Sequence, residues 1–492
     1  MQLLKSIVTI LLALICFESN AQHFYRIYTD QGFDYGEGIT QAKDSTYFIT
    51  GSSSSFEDAP SQAYILHIDT AGNYLWSKAY GGSESDIGKR IFSVKEDGIY
   101  VFGHSNSFTS GYFDMYLLKT DFKGNLLWEK NIGGTSHEML HDAVMLPDTS
   151  FILVGQTTSN ASEIEDVIVF RINNKGEIKW EKRFGGEGVD IGRSVALIDT
   201  NQIIIGGEYK DVDSSLTKGL LISINQDGAL NWEKHFGIKG NYVFNDLSVD
   251  SSIIRAVGYN QLKNNIQQRY MTFKCLPNGT NEIESVILQS GSNYFSNIVQ
   301  HGPYKNQYLV LQPTDNEVIP TYSGGEDQLI CRYKYDLTWA TKCVNTSDHG
   351  IDHCNDIIAT NDLGAIAVGY NTYQGKGGAN VTLVKIGAYD LFPESLSDPI
   401  ESTLVKITPI NLEKSITLSP NPTNEFIRIQ GIENGEHSLK ITSLDGKTLY
   451  SKEVKNDEII NLKELFFENG TYLIQIEKGQ STLVTHKIMF NQ

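Results

Sequence analysis

An all-β fold built from one repeated four-stranded unit is what this sequence predicts, and three observations carry it. Trp76, Trp128, Trp180 and Trp232 stand 52 residues apart, and Gly51, Gly103, Gly155 and Gly207 keep the same interval. Each unit holds four short apolar runs bounded by Gly, Asn, Asp or Ser; in the second copy they cover 90–94, 99–104, 115–120 and 126–132. No window sustains a helical period.

Composition agrees. The chain has 492 residues, 40% of them hydrophobic, with 44 Gly, which is globular rather than low-complexity. Its 25 Tyr and 22 Phe against 11 Pro favour strands and tight turns. Fifty-nine acids against 40 bases leave a net charge of −19, a body that repels phosphate backbones, so no nucleic-acid partner is expected.

The chain opens on Lys5, an apolar stretch over 7–17, and small residues at Ser19 and Ala21. That order predicts a signal peptide over residues 1–21, cut before Gln22. The stretch is shorter than the roughly 20 residues a membrane helix needs. Ile15 sits where lipidation of Cys16 would want a small residue. No later segment is apolar enough to span, so no transmembrane segment is expected and the mature chain is read as secreted.

The repeats come next. After each Trp the text runs WSKAYGG, WEKNIGG, WEKRFGG and WEKHFGI, and a turn of the form [DN]-x-x-G precedes it. Later copies decay: Asn278-Gly279 leads to Ile283, then Trp339, then Leu391-Phe392. Seven units fit, which predicts a seven-bladed β-propeller over residues 22–392. One such sheet cannot bury both its faces, whereas stacked blades cover one another. The Trp residues are expected between blades. Residues 24–28 read like the end of a unit, and the last unit lacks its fourth strand. Pairing of 24–28 with 381–386 would close the ring.

The turns resemble those of the quinoprotein-type propeller repeat, with the Asp-to-Gly step one residue shorter, and match the Asp-box turn of sialidase-like proteins less well. The repeat as a whole is most similar to the Gly-Gly/Trp propeller repeats of exported Bacteroidetes-type proteins. That resemblance implies a fold and not a reaction.

Residues 393–414 read as a linker, with Pro393, Ser395, Pro399 and Ser402. Short alternating strands follow over 415–492, with Asp445-Gly446 as a hairpin turn. They predict a small immunoglobulin-like β-sandwich. Leu418-Ser-Pro420-Asn421-Pro422, Gly470-Thr-Tyr472-Leu-Ile474 and Lys487-Ile-Met-Phe490 resemble the C-terminal sorting domain of the type IX (Por) secretion system. The resemblance implies carriage across the outer membrane, with the secretion machinery as partner. It further implies removal of the domain and a cargo left at the surface or released.

Four cysteines lie beyond the leader: Cys275, Cys331, Cys343 and Cys354. Cys343 and Cys354 flank one expected turn, and an exported chain can oxidise them, so a Cys343–Cys354 disulfide is one reading. The other is a pair of buried small apolar side chains. Zinc spacing is absent, and no metal or cofactor is expected.

Six residues after each fourth strand stands an acid: Asp34, Asp86, Glu138 and Asp190, with Tyr242 in the fifth copy and His349 in the seventh. They begin the expected innermost strands. One reading makes them a ligand site at a mouth of the central channel. The plainer one has each carboxylate accept N–H groups from the Gly-Gly turn and lock the blade junction. His349 and His353 flank Asp352 near Cys354, either as metal ligands or as a polar loop.

No catalytic constellation stands out. The chain therefore reads as a secreted or cell-surface binding propeller for glycans or proteins. The alternative is an extracellular enzyme on glycans, a hydrolase or lyase, hidden in the degenerate copies among Glu317, Glu326, Asp327, Asp348, His349 and Asp352. A quinoprotein-like dehydrogenase comes third, since no residues for its cofactor are identifiable.

Overall fold

The computed structural model describes residues 23–490 except 30–31, 57–59, 109–111, 160–163, 238–239, 263–266, 288–293, 301–306, 316–325, 335–336, 338–339, 346–351, 373–377, 388–399, 404–416, 420–425, 431–436, 444–446, 456–457, 464, 466–469 and 479–480. Among the described residues every regular element is a strand. The chain divides into two compact units, Met1–Thr408 and Pro409–Gln492.

The first unit is a β-propeller. Its described strands form seven sheets, numbered here as blades 1 to 7: residues 34–80, 86–132, 138–184, 189–236, 241–287, 298–345 and 352–386. Strands within a blade run antiparallel in chain order. Each blade's first strand touches the first strand of the next, and Asp352–Ala359 of blade 7 touches Asp34–Gln41 of blade 1, which closes the circle.

Phe24–Thr29 supplies blade 7 with its fourth strand, in register Phe24↔Lys385 through Tyr28↔Val381. All six of its residues are buried. Ile400–Thr403 then pairs in parallel with Arg26–Thr29. Part of the expected linker is thus a strand: four residues of 393–414 satisfy the outer edge of Phe24–Thr29 instead of crossing solvent.

Second and third strands are buried on both faces rather than alternating. Tyr47–Ser53 and Gly98–Ser105 are buried at every position. Neighbouring blades cover both sides of these strands, so a continuous apolar run is the fitting pattern. Each interface has its own core. Phe48, Ile65 and Tyr80 of blade 1 meet Ile91, Val101 and Leu118 of blade 2. Tyr28, Ile366 and Leu383 of blade 7 meet Ile39, Ile49 and Leu66 of blade 1. Full burial of one such side chain contributes about 1.5–3 kcal/mol.

The Trp and the turn Gly of the repeat explain one another. Gly124, at φ +72°, lies under the Trp76 ring of the preceding blade; a Cβ there would be 2.8 Å from the indole. Gly176 sits likewise under Trp128, where a Cβ would be 2.9 Å away. The left-handed turn and the close approach both require glycine.

In the second unit a three-stranded sheet (Thr417–Ser419, Phe426–Gln430, Ile459–Asn461) stands beside a four-stranded one. The larger sheet runs Thr448–Val454, His437–Ser443, Gly470–Lys478, Ser481–Phe490. Ile429 and Ile460 of the first share a core with Leu439, Ile441, Ile474 and Ile476 of the second. Alternating side chains from two facing sheets make this core.

Candidate functional site

The acids that open the first strands do not line a channel mouth. Asp34, Asp86, Glu138 and Asp190 are at most 1% exposed. The Gly82 N–H donates to Asp86 Oδ2 at 2.9 Å, the Gly134 N–H to Glu138 Oε2 at 2.5 Å, and the Gly186 N–H to Asp190 Oδ2 at 2.9 Å. Hydroxyls at the end of the second strands or just past them add to this: Thr157 Oγ1 donates to Glu138 at 2.5 Å, Ser107 Oγ to Asp86 at 2.8 Å, and Ser53 and Ser55 to Asp34. The expected ligand ring is corrected on this geometry. Each carboxylate is shut from solvent and held by its own blade, which ties the blade junction, although one oxygen of Asp86 and one of Asp190 have no hydrogen-bond partner among the described residues. Burial raises the pKa of Asp86 and pushes Asp190 up to about 6, with the Asp166 carboxylate adding to the latter.

The residues that do face the axis come three positions later. In blades 1 to 5 and 7 the first strand carries a β-bulge, which leaves Glu37, Lys89, His141, Arg193, Asn245 and Asn355 out of the register. A bulge turns an extra side chain away from the ladder. Gly103 explains why the column opposite is glycine: a Cβ there would lie 1.7 Å from the Ile87 carbonyl oxygen. In blade 6 Asn297 holds the equivalent place, just before Ile298–Gln300. Glu37 to Asn297 step by 52 residues; Asn355 comes 58 after Asn297.

All seven line one cavity of about 260 Å³ on the propeller axis. It has a charged half and an amide half. Lys89 Nζ pairs with Glu37 Oε2 at 2.8 Å across the blade 1–2 boundary. Arg193 Nε donates to Glu208 Oε1 at 3.1 Å. His141 Nε2 is 2.8 Å from Gln156 Oε1, and burial lowers its pKa to about 4, which keeps the imidazole neutral at physiological pH. Opposite, Asn245 donates to the Phe295 carbonyl and Asn355 to the Gly36 carbonyl, each at 2.8 Å.

The residues after the bulges form a second ring. Arg90 Nε is 2.6 Å from Asp142 Oδ1, and its Nη1 is 3.5 Å from Asp356 Oδ1. Three carboxylates then reach on to the next blade: Asp142 accepts the Val195 N–H, Asp246 the Ile298 N–H and Asp356 the Ile39 N–H, at 2.7, 2.9 and 3.1 Å. Burial opposes the Arg90 charge, but Asp142 and Asp356 outweigh it and hold the pKa above its ordinary value. Burial, with Asp142 nearby, pushes Asp246 up to about 7. This ring ties blades and floors the cavity.

Sequence reasoning missed both rings. The signal was present in the 52-residue column after the acids, which is polar in every copy yet changes type through the first five, from Glu37 to Asn245.

Cys343 pairs with Cys331, not with Cys354. The two face each other directly across neighbouring strands of blade 6, with Cα atoms 4.1 Å apart. Cys354 belongs to blade 7, buried in the interface core with Leu309 and Ile330. His353 stacks on Tyr370 at the cavity wall, centroids 5.0 Å apart. Among the described residues no cluster of His, Cys, Asp or Glu could hold a metal. Glu317, Asp348 and His349 lie outside the described residues, as do the side chains of Glu326, Asp327 and Asp352.

Comparison with known proteins bears on both units. Residues 417–491 match the secretion system C-terminal sorting domain. The chain ends in a type IX sorting domain. Export to the cell surface or beyond follows from it. In this sorting domain Tyr472 packs half-buried on the core, while Gly470 and Lys487 lie on the last two strands. Pro420, Asn421, Pro422 and the Asp445-Gly446 turn fall outside the described residues. No helix of the described residues is long and apolar enough to cross a membrane.

Ahead of the sorting domain, residues 36–186 match the arylsulfotransferase (ASST) family, itself a β-propeller family. A search of curated proteins finds no match. Among solved structures, a family PL25 ulvan lyase is 10% identical, covering 74% of this chain and 96% of its own at a TM-score of 0.49. Drosophila Semaphorin 2a is 9% identical over 95% of this chain and 97% of its own, at 0.45. The Neurospora crassa Pan2 WD40 domain is 10% identical over 75% and 98%, at 0.43.

Proposed function

We propose that this is an exported binding propeller that holds a polyhydroxylated ligand, the end of a glycan, in the axial cavity. A leader over residues 1–21 would deliver it to the periplasm, and the sorting domain would carry it out. The observation behind the reading is the ring formed by six bulges and Asn297, which gathers seven polar side chains of five kinds on one concave spot. Amides, a neutral imidazole and paired ions offer donors and acceptors at many angles. That suits sugar hydroxyls better than a lone charge. Lys89 and Arg193 are each tied to a carboxylate, so the cavity presents little net charge to attract a simple anion.

The arylsulfotransferase match favours a second reading, a propeller enzyme acting on glycans or their sulfate esters. The matched stretch carries Glu37, Lys89 and His141.

A glycan array probed with the full chain tests the first reading. A defined subset of sugars should bind, and Lys89→Ala and Asn245→Ala should each weaken that binding at least about tenfold. No bound glycan, or binding indifferent to both substitutions, overturns it. Turnover of the bound sugar would select the enzyme.

A further inference from the structure

The axial cavity opens toward the face on which the first strands begin. Its lining comes from the early part of those strands: His353, Cys354 and Asn355 of Asp352–Ala359, and Tyr294, Ser296 and Asn297 ahead of Ile298–Gln300. Arg90 and Asp142, one position beyond Lys89 and His141, close it from the other side. Antiparallel strands alternate in direction, so the links between blades and the loops between second and third strands share that opening face.

Among the described residues three strongly exposed aromatic rings stand on this face, all on one side of the axis. Phe33 is 55% exposed, Phe108 50% and Tyr112 46%. Phe33 leads into blade 1, and the other two stand in the loop of blade 2 between Gly98–Ser105 and Asp114–Thr120. Each ring is backed on one side. Phe33 lies against Gly378 of blade 7, where a Cβ would be 1.9 Å from it. Phe108 stacks on the buried Tyr116 ring, with centroids 5.9 Å apart. Tyr112 meets the His137 ring at right angles, 5.1 Å away, and His137 Nδ1 accepts the Phe113 N–H at 3.2 Å. A ring fixed from behind with its other side in water is a pre-organised contact. Phe33 precedes Glu37 by four residues, and His137 precedes His141 by four, a run of about 13 Å at strand rise. The rings thus lie a few sugar units from the cavity.

We propose that the ligand is a neutral, gluco-configured oligosaccharide that runs out of the axial cavity over blades 1 and 2 and packs its later sugar units on these rings. The inference rests on the reading of the cavity as a glycan site and names the class of glycan. At about 260 Å³ the cavity is smaller than the roughly 300–1,000 Å³ that encloses a drug-sized ligand, so it takes a terminus and the remainder lies outside. A pyranose with equatorial hydroxyls shows C–H groups on both its faces, and these meet the negative face of an aromatic ring. The exposed Glu84 and Glu187 on the links of the same face, with a net charge of −19, disfavour uronic acids and sulfated sugars.

Calorimetric titration of the full chain with glucose, cellotetraose, laminaritetraose and maltotetraose tests the proposal. At least one tetrasaccharide should bind at least about tenfold more tightly than glucose. Phe108→Ala and Tyr112→Ala, both at exposed positions, should each shrink that advantage about three- to tenfold. Lys89→Ala, inside the cavity, should weaken glucose and the tetrasaccharide alike. Equal affinity for glucose and all three tetrasaccharides overturns the proposal and leaves the axial reading standing. Wild-type tetrasaccharide affinity in either ring variant does the same, and assigns that ring to another partner such as a protein. If the glycan array finds ligands but none of gluco configuration, the proposal again falls alone. If no sugar binds in either experiment, both fall.

Discussion

Arg90 Nε stands 2.6 Å from Asp142 Oδ1, and the contact joins blade 2 to blade 3 inside the channel. The same guanidinium faces Asp356 of blade 7, so one side chain links three blades. Asp142 and Asp356 are in turn bound to blades 4 and 1 through backbone N–H groups. Removing the cation leaves two carboxylates in a confined space without their counterion. Arg90→Met should therefore cost about 3–5 kcal/mol in denaturant unfolding. Arg90→Met with Asp142→Asn should lose less than the sum of the two single changes. Strict additivity would mean that the pair is not coupled.

Acidity should stabilise the fold down to about pH 4. Asp246 is pushed up to about 7 and Asp190 to about 6, chiefly by burial. Asp114, next to Glu138, also rises to about 6, again mainly through burial. An acid raised in the folded state is protonated there while the unfolded chain, near pKa 4, is already ionised. Stability then falls as pH climbs from about 4 to 7, by on the order of 1 kcal/mol per unit for each fully shifted group. Below about 4 the trend reverses. Asp250, held down to about 2 by Ser252 and Arg255 against the cost of burial, loses its support as it protonates. Melting temperatures from pH 3 to 8 should peak near pH 4 and fall toward pH 7, and Asp246→Asn should flatten that fall.

Reduction should loosen blade 6 before the rest. The Cys331–Cys343 bridge closes a loop of sequence separation 12. Chain-entropy arguments give such a loop about 3 kcal/mol. Cys343 is exposed, so mild reductant reaches it. Hydrogen exchange in 329–345 should rise under dithiothreitol while blades 1 to 4 stay protected. Uniform exchange across all blades would argue that the ring unfolds as one.

The repeat was legible because it repeats. Trp76 and Gly124 recur at one interval since each indole needs a glycine under it in the next blade, and a periodic packing demand leaves a periodic text. The closing strand was legible for the same reason: Phe24 stands where other blades have Trp. The site was not. Glu37, Lys89, His141 and Asn245 hold one structural position, but a surface facing a ligand has no reason to keep one residue type. The Cys331–Cys343 pairing was hidden by the register of blade 6, where the turn motif has decayed. Asp86 and Asp190 were conspicuous because they repeat, and repetition here marks a joint in the fold.

Ring closure should depend on the first described strand. Tyr28 Oη donates to the Gly72 carbonyl of blade 1 at 2.6 Å, as Tyr80 Oη donates to Gly124 of blade 2 at 2.8 Å. Both bonds lie at blade junctions, but only the first joins the two ends of the propeller. Tyr28→Phe and Tyr80→Phe each strand a buried carbonyl and should cost about 1–2 kcal/mol alike. Deleting residues 24–29 is a different event. It bares Asn380–Ile386 as an open edge and removes the partner of Ile400–Thr403. An unpaired, wholly buried-type strand such as NVTLVKI is a template for other chains. Light scattering at rising concentration should show association for the deletion and none for either Tyr→Phe variant. A monomeric deletion variant would mean that the remaining contacts between blades 7 and 1 close the ring alone.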